Sequence, residues 1–255
     1  MHIDLNATWL LAFLLASVRA AAWLAVVPPF ASVGAVPRMA VVGIAGGFGV
    51  LSAPLLMASG VPTDTAGLIG SLVVQVVVGV ALGFSVQILV SAVSAAGSMI
   101  DLLSGVNPLP SFDPLSQSQV PLFGRLYDQV AIVCLFVSNG ELLLVRGFEY
   151  SFSVNVAGIF QGSDLAGVLV GDLATFFTAT LEIAAPVLVV LFAIQIALAL
   201  VAKAAPQINA WWLGMPLQIL LALILSAFAI RVVPPYLSEL VTRSLQDVHV
   251  LLGAS

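Results

Sequence analysis

Residues 203–218 read KAAPQINAWWLGMPLQ, and on either side lie some of the most apolar runs of the chain. The stretch carries the only lysine in the sequence, two prolines, an asparagine, two glutamines and a tryptophan pair. Pro206 and Pro216 remove backbone donors, so a helix arriving from either side is expected to break between them. Gln207 and Asn209 have amide side chains that can bond the backbone groups freed by such a break. Non-helical backbone cannot face lipid, because its N–H and C=O groups would stay unpaired. The stretch therefore predicts a turn held in protein or water between two long apolar helices, with Trp211 and Trp212 suited to an interfacial anchor.

Composition sets the class in which that turn sits. The chain has 255 residues, of which 61% are hydrophobic and 7% charged. Soluble domains carry about a quarter charged residues, so part of this surface must face lipid or protein. An integral membrane protein of all-α class follows. The seven cations are scattered at Arg19, Arg38, Arg125, Arg146, Lys203, Arg231 and Arg243, and the net charge is −5. Without a basic patch, nucleic acid is not an expected partner. The lone Cys134 lies in the apolar run AIVCLF and reads as a small hydrophobe. The N-terminal run has no basic leader and carries Asp4, so it reads as a retained first helix rather than a cleaved signal.

Outward along the chain, apolar segments are expected at about 8–27, 38–57, 65–105, 164–204 and 215–233. The segment 65–105 has no internal proline, and 164–204 has only Pro186. Forty residues of helix reach about 60 Å, twice the roughly 30 Å of a hydrocarbon core. Such lengths fit long hairpins packed against other subunits better than a plain bundle of spans. Gly43 and Gly47, and again Gly79 and Gly83, have small-xxx-small spacing and predict close helix packing. GIAGGFG lacks the Gly-Lys-Ser/Thr that a phosphate loop needs. Between the long segments, residues 106–122 hold Pro108, Pro110, Pro114 and Pro121, which prevent helix. That loop is apolar for a solvent loop, and a place inside a pore or seam is the sharper expectation. Two short helices at about 122–137 and 141–152 follow, split by Ser138-Asn139-Gly140. After Pro234-Pro235 the tail places Leu237, Leu240, Val241 and Leu245 at helical spacing, an amphipathic helix.

No chemistry-bearing constellation emerges. The two histidines, His2 and His249, sit at opposite ends, and no Ser/His/Asp order, GxSxG or HExxH occurs. No catalytic residue, metal ligand or cofactor site is expected. Asp101 and Glu182 lie inside apolar helices, where a carboxylate costs roughly 2.5–3.5 kcal/mol at mid-bilayer on insertion scales; both are expected to be buried beside polar partners. Broken helices and buried acids also suit a small-solute secondary transporter, although no internal repeat pairs two broken helices.

The block Lys203-Ala204-Ala205-Pro206-Gln207-Ile208-Asn209, followed by Gly214-Met215-Pro216-Leu217, resembles the signature of the FliR family, the R subunits of the flagellar export gate, with T-subunit relatives in virulence injectisomes. Arg19, Ala35-Val36-Pro37-Arg38, Ala96-Gly97, Gly105, Phe112-Asp113-Pro114 and Asn139-Gly140, together with Glu149, Ser151 and Phe152, fit the family pattern elsewhere. The chain departs from it with Ser98 for a frequent Glu, Glu141 for a frequent His, and Lys203 for the usual Arg. The resemblance implies one helical subunit with a P-like part over 1–160 and a Q-like hairpin plus amphipathic helix over 161–255. It implies a channel built with FliP and FliQ subunits, alongside FlhB and FlhA, in the inner membrane at the flagellar basal body. Unfolded flagellar proteins would pass through that channel. The loop 106–122, with Val106, Pro108, Leu109, Pro110, Phe112, Asp113 and Pro114, would be its plug. Lys203, Pro206, Gln207, Asn209, Gly214 and Pro216 would form an inter-subunit turn.

Overall fold

The computed structural model describes residues 7–28, 30, 36–58, 60–62, 64–105, 122–153, 164–205, 207 and 209–251. Among these there is helix and turn but no strand. The helices are α1 (Ala7–Leu24), α2 (Arg38–Ala58), α3 (Thr65–Ser104), α4 (Leu122–Val137), α5 (Gly140–Tyr150), α6 (Asp164–Ala204), α7 (Ala210–Ala229) and α8 (Val233–Leu251). Five helical stretches among the described residues are long and apolar enough to cross a membrane, and the pair α4–α5, bent by 75° at its break, makes a sixth if taken as one span. The chain is an all-α membrane protein.

The two over-long helices are real and unbroken. α3 runs 40 residues through the small-residue stretch 91–98. α6 runs 41 residues with Pro186 inside it. An interior proline is tolerated in apolar helices because neighbouring groups take up the freed carbonyl. α4 and α5 are separated at Asn139, whose φ of 55° is left-handed, a conformation asparagine reaches at little cost. Pro234 and Pro235 do not stop the chain. They fall in the first turn of α8, where the missing N–H has no intrahelical partner to lose. The tail helix does not lie free: Leu237, Leu240 and Val241 are buried within the chain itself.

The break at 203–216 is shorter than the sequence suggests. α6 ends at Ala204, just before the pre-proline position where helix is disfavoured. α7 begins at Ala210, so Trp211, Trp212, Gly214 and Pro216 are helical, and Ala205, Gln207 and Asn209, the described residues before it, are not.

The chain divides into two compact units, each discontinuous in sequence. The first comprises 1–89, 139–173 and 241–255, the second 90–138 and 174–240. In the first unit α1 and α2 pack along their length. α3 crosses α1 at Gly79 and Gly83, where an added Cβ would come within 2.5 Å of the Arg19 carbonyl and 3.0 Å of the Trp23 carbonyl. The expected glycine seam therefore exists on α3. It does not exist on α2: nothing lies within 4 Å of a Cβ built at Gly43, Gly46 or Gly47. The α2 face that packs uses Ala45, Gly49, Ala53 and Leu56 instead, with Gly49 against Ser17. The aromatic core of this unit stacks Trp23 on Phe148 at 4.6 Å, with Phe48 edge-on to both. In the second unit α3 buries Ile100, α4 buries Phe123 and Tyr127, α6 buries Leu191 and α7 buries Ala222.

Candidate functional site

The polar groups of an apolar helical chain mark what it must hold in place. Each unit holds one main cluster of them.

In the second unit the cluster sits where α3 ends and α4 begins. The first N–H groups of a helix have no intrahelical partner. The residue before α4 is Pro121, whose side chain has no acceptor. The acceptor comes instead from α3. Asp101, 1% exposed, takes hydrogen bonds from the Phe123 N–H at 3.0 Å on Oδ1 and from the Gly124 N–H at 2.8 Å on Oδ2. A carboxylate facing the positive end of a helix is favoured, and bonds to it are stronger than neutral ones. Gly97, one turn earlier, lets the two backbones meet: a Cβ there would press on the Phe123 carbonyl and lie 2.9 Å from Gly124 Cα. The carboxyl end of α3 is held as well. Ser104 Oγ donates to the Asp101 carbonyl at 3.1 Å, and Gln195 Nε2 of α6 donates to the Leu103 carbonyl at 2.9 Å. Gly105 then closes α3 with a φ of 71°, a left-handed cap that glycine adopts without strain.

In the first unit the cluster centres on Arg19, which is fully buried. Its Nε donates to Gln75 Oε1 at 2.5 Å, and its Nη1 to the Ser151 carbonyl at 2.7 Å and Ser151 Oγ at 3.1 Å. The guanidinium also stands 4.1 Å over the Phe152 ring. These contacts join α1, α3 and the turn after α5. Among the described residues Nη2 has no hydrogen-bond partner.

The sequence-derived site residues fare unevenly. Val106, Pro108, Leu109, Pro110, Phe112, Asp113 and Pro114 lie outside the described residues, as does Pro206. Lys203 stands exposed in the last turn of α6. Gln207 and Asn209 are exposed, and Asn209, at the N-cap position of α7, makes no side-chain capping bond. The expected side-chain capping of α7 by this asparagine is thus absent. Gly214 is buried where α7 meets α6, with a built Cβ 2.5 Å from Leu198 Cδ1, and Pro216 is exposed in α7. Asp101 is buried as expected. Glu182 is not: it sits exposed on α6 beside Leu181, which is 53% exposed, within hydrogen-bonding reach of the Tyr236 hydroxyl. Its solution to being in an apolar helix is a surface position with a phenol partner. Among the described residues no group of three His, Cys, Asp or Glu side chains comes together as a metal site. Gln75 and Gln195 escape sequence reasoning as site residues, and Arg19 and Ser151 enter it only as parts of a family pattern. For Arg19, Gln75 and Gln195 the available signal is a lone polar side chain in an otherwise apolar run; Ser151, between Glu149 and Ser153, carries no such signal.

Comparison with known proteins bears on this arrangement. The model of the family described as bacterial export proteins, family 1, matches residues 10–244. The chain belongs to this family. The flagellar biosynthetic protein FliR of Escherichia coli (strain K12) is 28% identical over 83% of this chain and 82% of its own length. That of Bacillus subtilis (strain 168) is 30% identical over 71% and 73%. The secretion system apparatus protein SsaT of Salmonella typhimurium is 24% identical over 59% of each chain. This member of the bacterial export proteins is a helical membrane subunit of a type III export apparatus. Nothing in the comparisons favours the small-solute transporter.

Proposed function

We propose that this chain is the FliR-type subunit of a flagellar export gate. In this reading it assembles with several FliP and FliQ subunits, in contact with FlhB and FlhA, into a secretion channel of the bacterial inner membrane. The observation that carries the reading is the family match across 10–244 on a chain whose longest helices leave so much apolar surface uncovered. On α6, Val189 is 68% exposed and Leu200 63%; on α7, Leu220 is 58% exposed. A helix of about 60 Å such as α6 cannot hide such a face in a bilayer core of about 30 Å. Neighbouring subunits account for the rest. The role is structural, without catalysis. The segment 106–122 serves as plug, its apolar side chains and prolines sealing the closed channel against ions, while unfolded flagellar proteins pass when it is displaced. The turn at 205–209 between the Q-like helices α6 and α7 meets equivalent turns of FliQ subunits.

Two measurements test this. Tagged chain expressed with the P and Q subunits of the same organism is weighed by native mass spectrometry. One copy within a large P/Q assembly is the expected result, and a stable monomer or homodimer that ignores both refutes it. Deletion of 108–114 should then raise ion leak through reconstituted complexes while assembly persists. Leak equal to that of the parent complex removes the plug assignment.

A further inference from the structure

We propose that Asp101 is the positioning residue for the segment that joins α3 to α4. Its carboxylate sets where that segment starts and ends relative to one another, and Gln195 ties this base to α6.

The chemistry is specific. Asp101 spends both carboxylate oxygens on the first turn of α4, one on Phe123 N–H and one on Gly124 N–H. Among the described residues no other side chain takes those two N–H groups. The same residue sits in the last turn of α3, so one side chain fastens the exit from α3 to the entry into α4 across 22 residues of sequence. Gly97 against the Phe123 carbonyl and Gly124 removes the space in which the two strands of this stem would otherwise slide. Gln195 fixes the other side, through the Leu103 carbonyl that α3 leaves unpaired at its end. Three elements thus meet through five residues, Asp101, Leu103, Phe123, Gly124 and Gln195, and each bond is to backbone, where it sets position rather than sequence preference. A displacement of α6 at Gln195 is handed directly to the end of α3. Asparagine has the shape of aspartate but only one acceptor oxygen, and its NH2 would face an N–H. Asp101→Asn therefore breaks the two-point hold with almost no change in volume.

The proposal rests on the plug reading only for its functional readout, and the test separates the two. Spin labels are placed on Leu102→Cys and Leu122→Cys, both exposed in the chain, in a Cys134→Ser background. The labelled chain is assembled with its P and Q partners in nanodiscs. With Asp101 intact the label-to-label distance distribution should be narrow. Asp101→Asn and, independently, Gln195→Leu should broaden it at least twofold, and leak should rise several-fold toward that of the 108–114 deletion. An unchanged distribution in assembled Asp101→Asn complexes overturns the proposal, whatever the leak. If Asp101→Asn prevents assembly, Gln195→Leu alone decides on the same criterion. A broadened distribution with a leak-silent 108–114 deletion upholds the positioning role and removes the plug reading instead.

Discussion

Arg19 shows how one side chain can organise an apolar unit. A guanidinium carries five N–H donors in a fixed fork, and here the fork reaches α3 through Gln75 and the turn after α5 through Ser151, over the face of Phe152. Lysine offers a single point charge and cannot span those partners together. Arg19→Met leaves the Gln75 and Ser151 acceptors buried without a donor, at about 1–3 kcal/mol for each orphaned group. A loss of roughly 2–5 kcal/mol is expected, read as a lowered melting temperature of the purified complex in detergent. Arg19→Lys should recover only part of that loss. A melting temperature equal to the parent's in Arg19→Met would mean the cluster is not holding the unit together.

At the scale of helices, identical sequence spacing gives opposite outcomes. Gly79 and Gly83 sit against the α1 backbone, whereas Gly43 and Gly47 face open space in the chain. Gly97→Ala forces a Cβ onto the Phe123 backbone and should cost about 1–3 kcal/mol, as overpacking does. Gly43→Ala meets nothing and should be neutral or gain up to about 1 kcal/mol from helix propensity. Melting of the two variants side by side checks the pair of expectations, and equal losses would contradict the different surroundings of the two glycines. The contrast also explains what could be read from sequence. Helix lengths were legible because prolines and polar runs punctuate the chain plainly, and α3 and α6 follow that punctuation closely. Small-residue spacing states only that an approach is possible, since the partner lies on another helix. Asp101 stood out as an acid in an apolar run, but its partners are backbone N–H groups, which leave no trace in a sequence. Glu182 carried the same signal yet is exposed on α6 with the Tyr236 hydroxyl in reach, so an acid in an apolar run does not by itself say which side of its helix it faces.

Over the whole molecule, the uncovered faces of α6 and α7 are the dominant feature. Phe192 is 57% exposed and Leu220 58%, and a chain that met only lipid would have little reason for helices this long. Phe192→Glu or Leu220→Glu should leave the buried clusters around Arg19 and Asp101 intact. If partners cover these positions, recovery of FliP and FliQ with the tagged chain should fall by tenfold or more, measured against the total chain in the membrane fraction. Undiminished recovery with both variants would place these faces against lipid. Polar residues inside the chain tie elements together at Arg19 and Asp101, while the outer faces of α6 and α7 stay apolar.

The reach of the Arg19 cluster also sets a schedule. Its acceptor at Ser151 lies 132 residues further along the chain. At 5–20 residues per second of synthesis that distance takes roughly 7–26 s. Gln75 follows after 56 residues, but the Ser151 acceptor is missing throughout that interval. A first helix released to lipid in that time would carry its guanidinium at a cost of roughly 2.5–3.5 kcal/mol at mid-bilayer on insertion scales, so a wet or protein-lined vestibule is the expected holding place until the turn after α5 emerges.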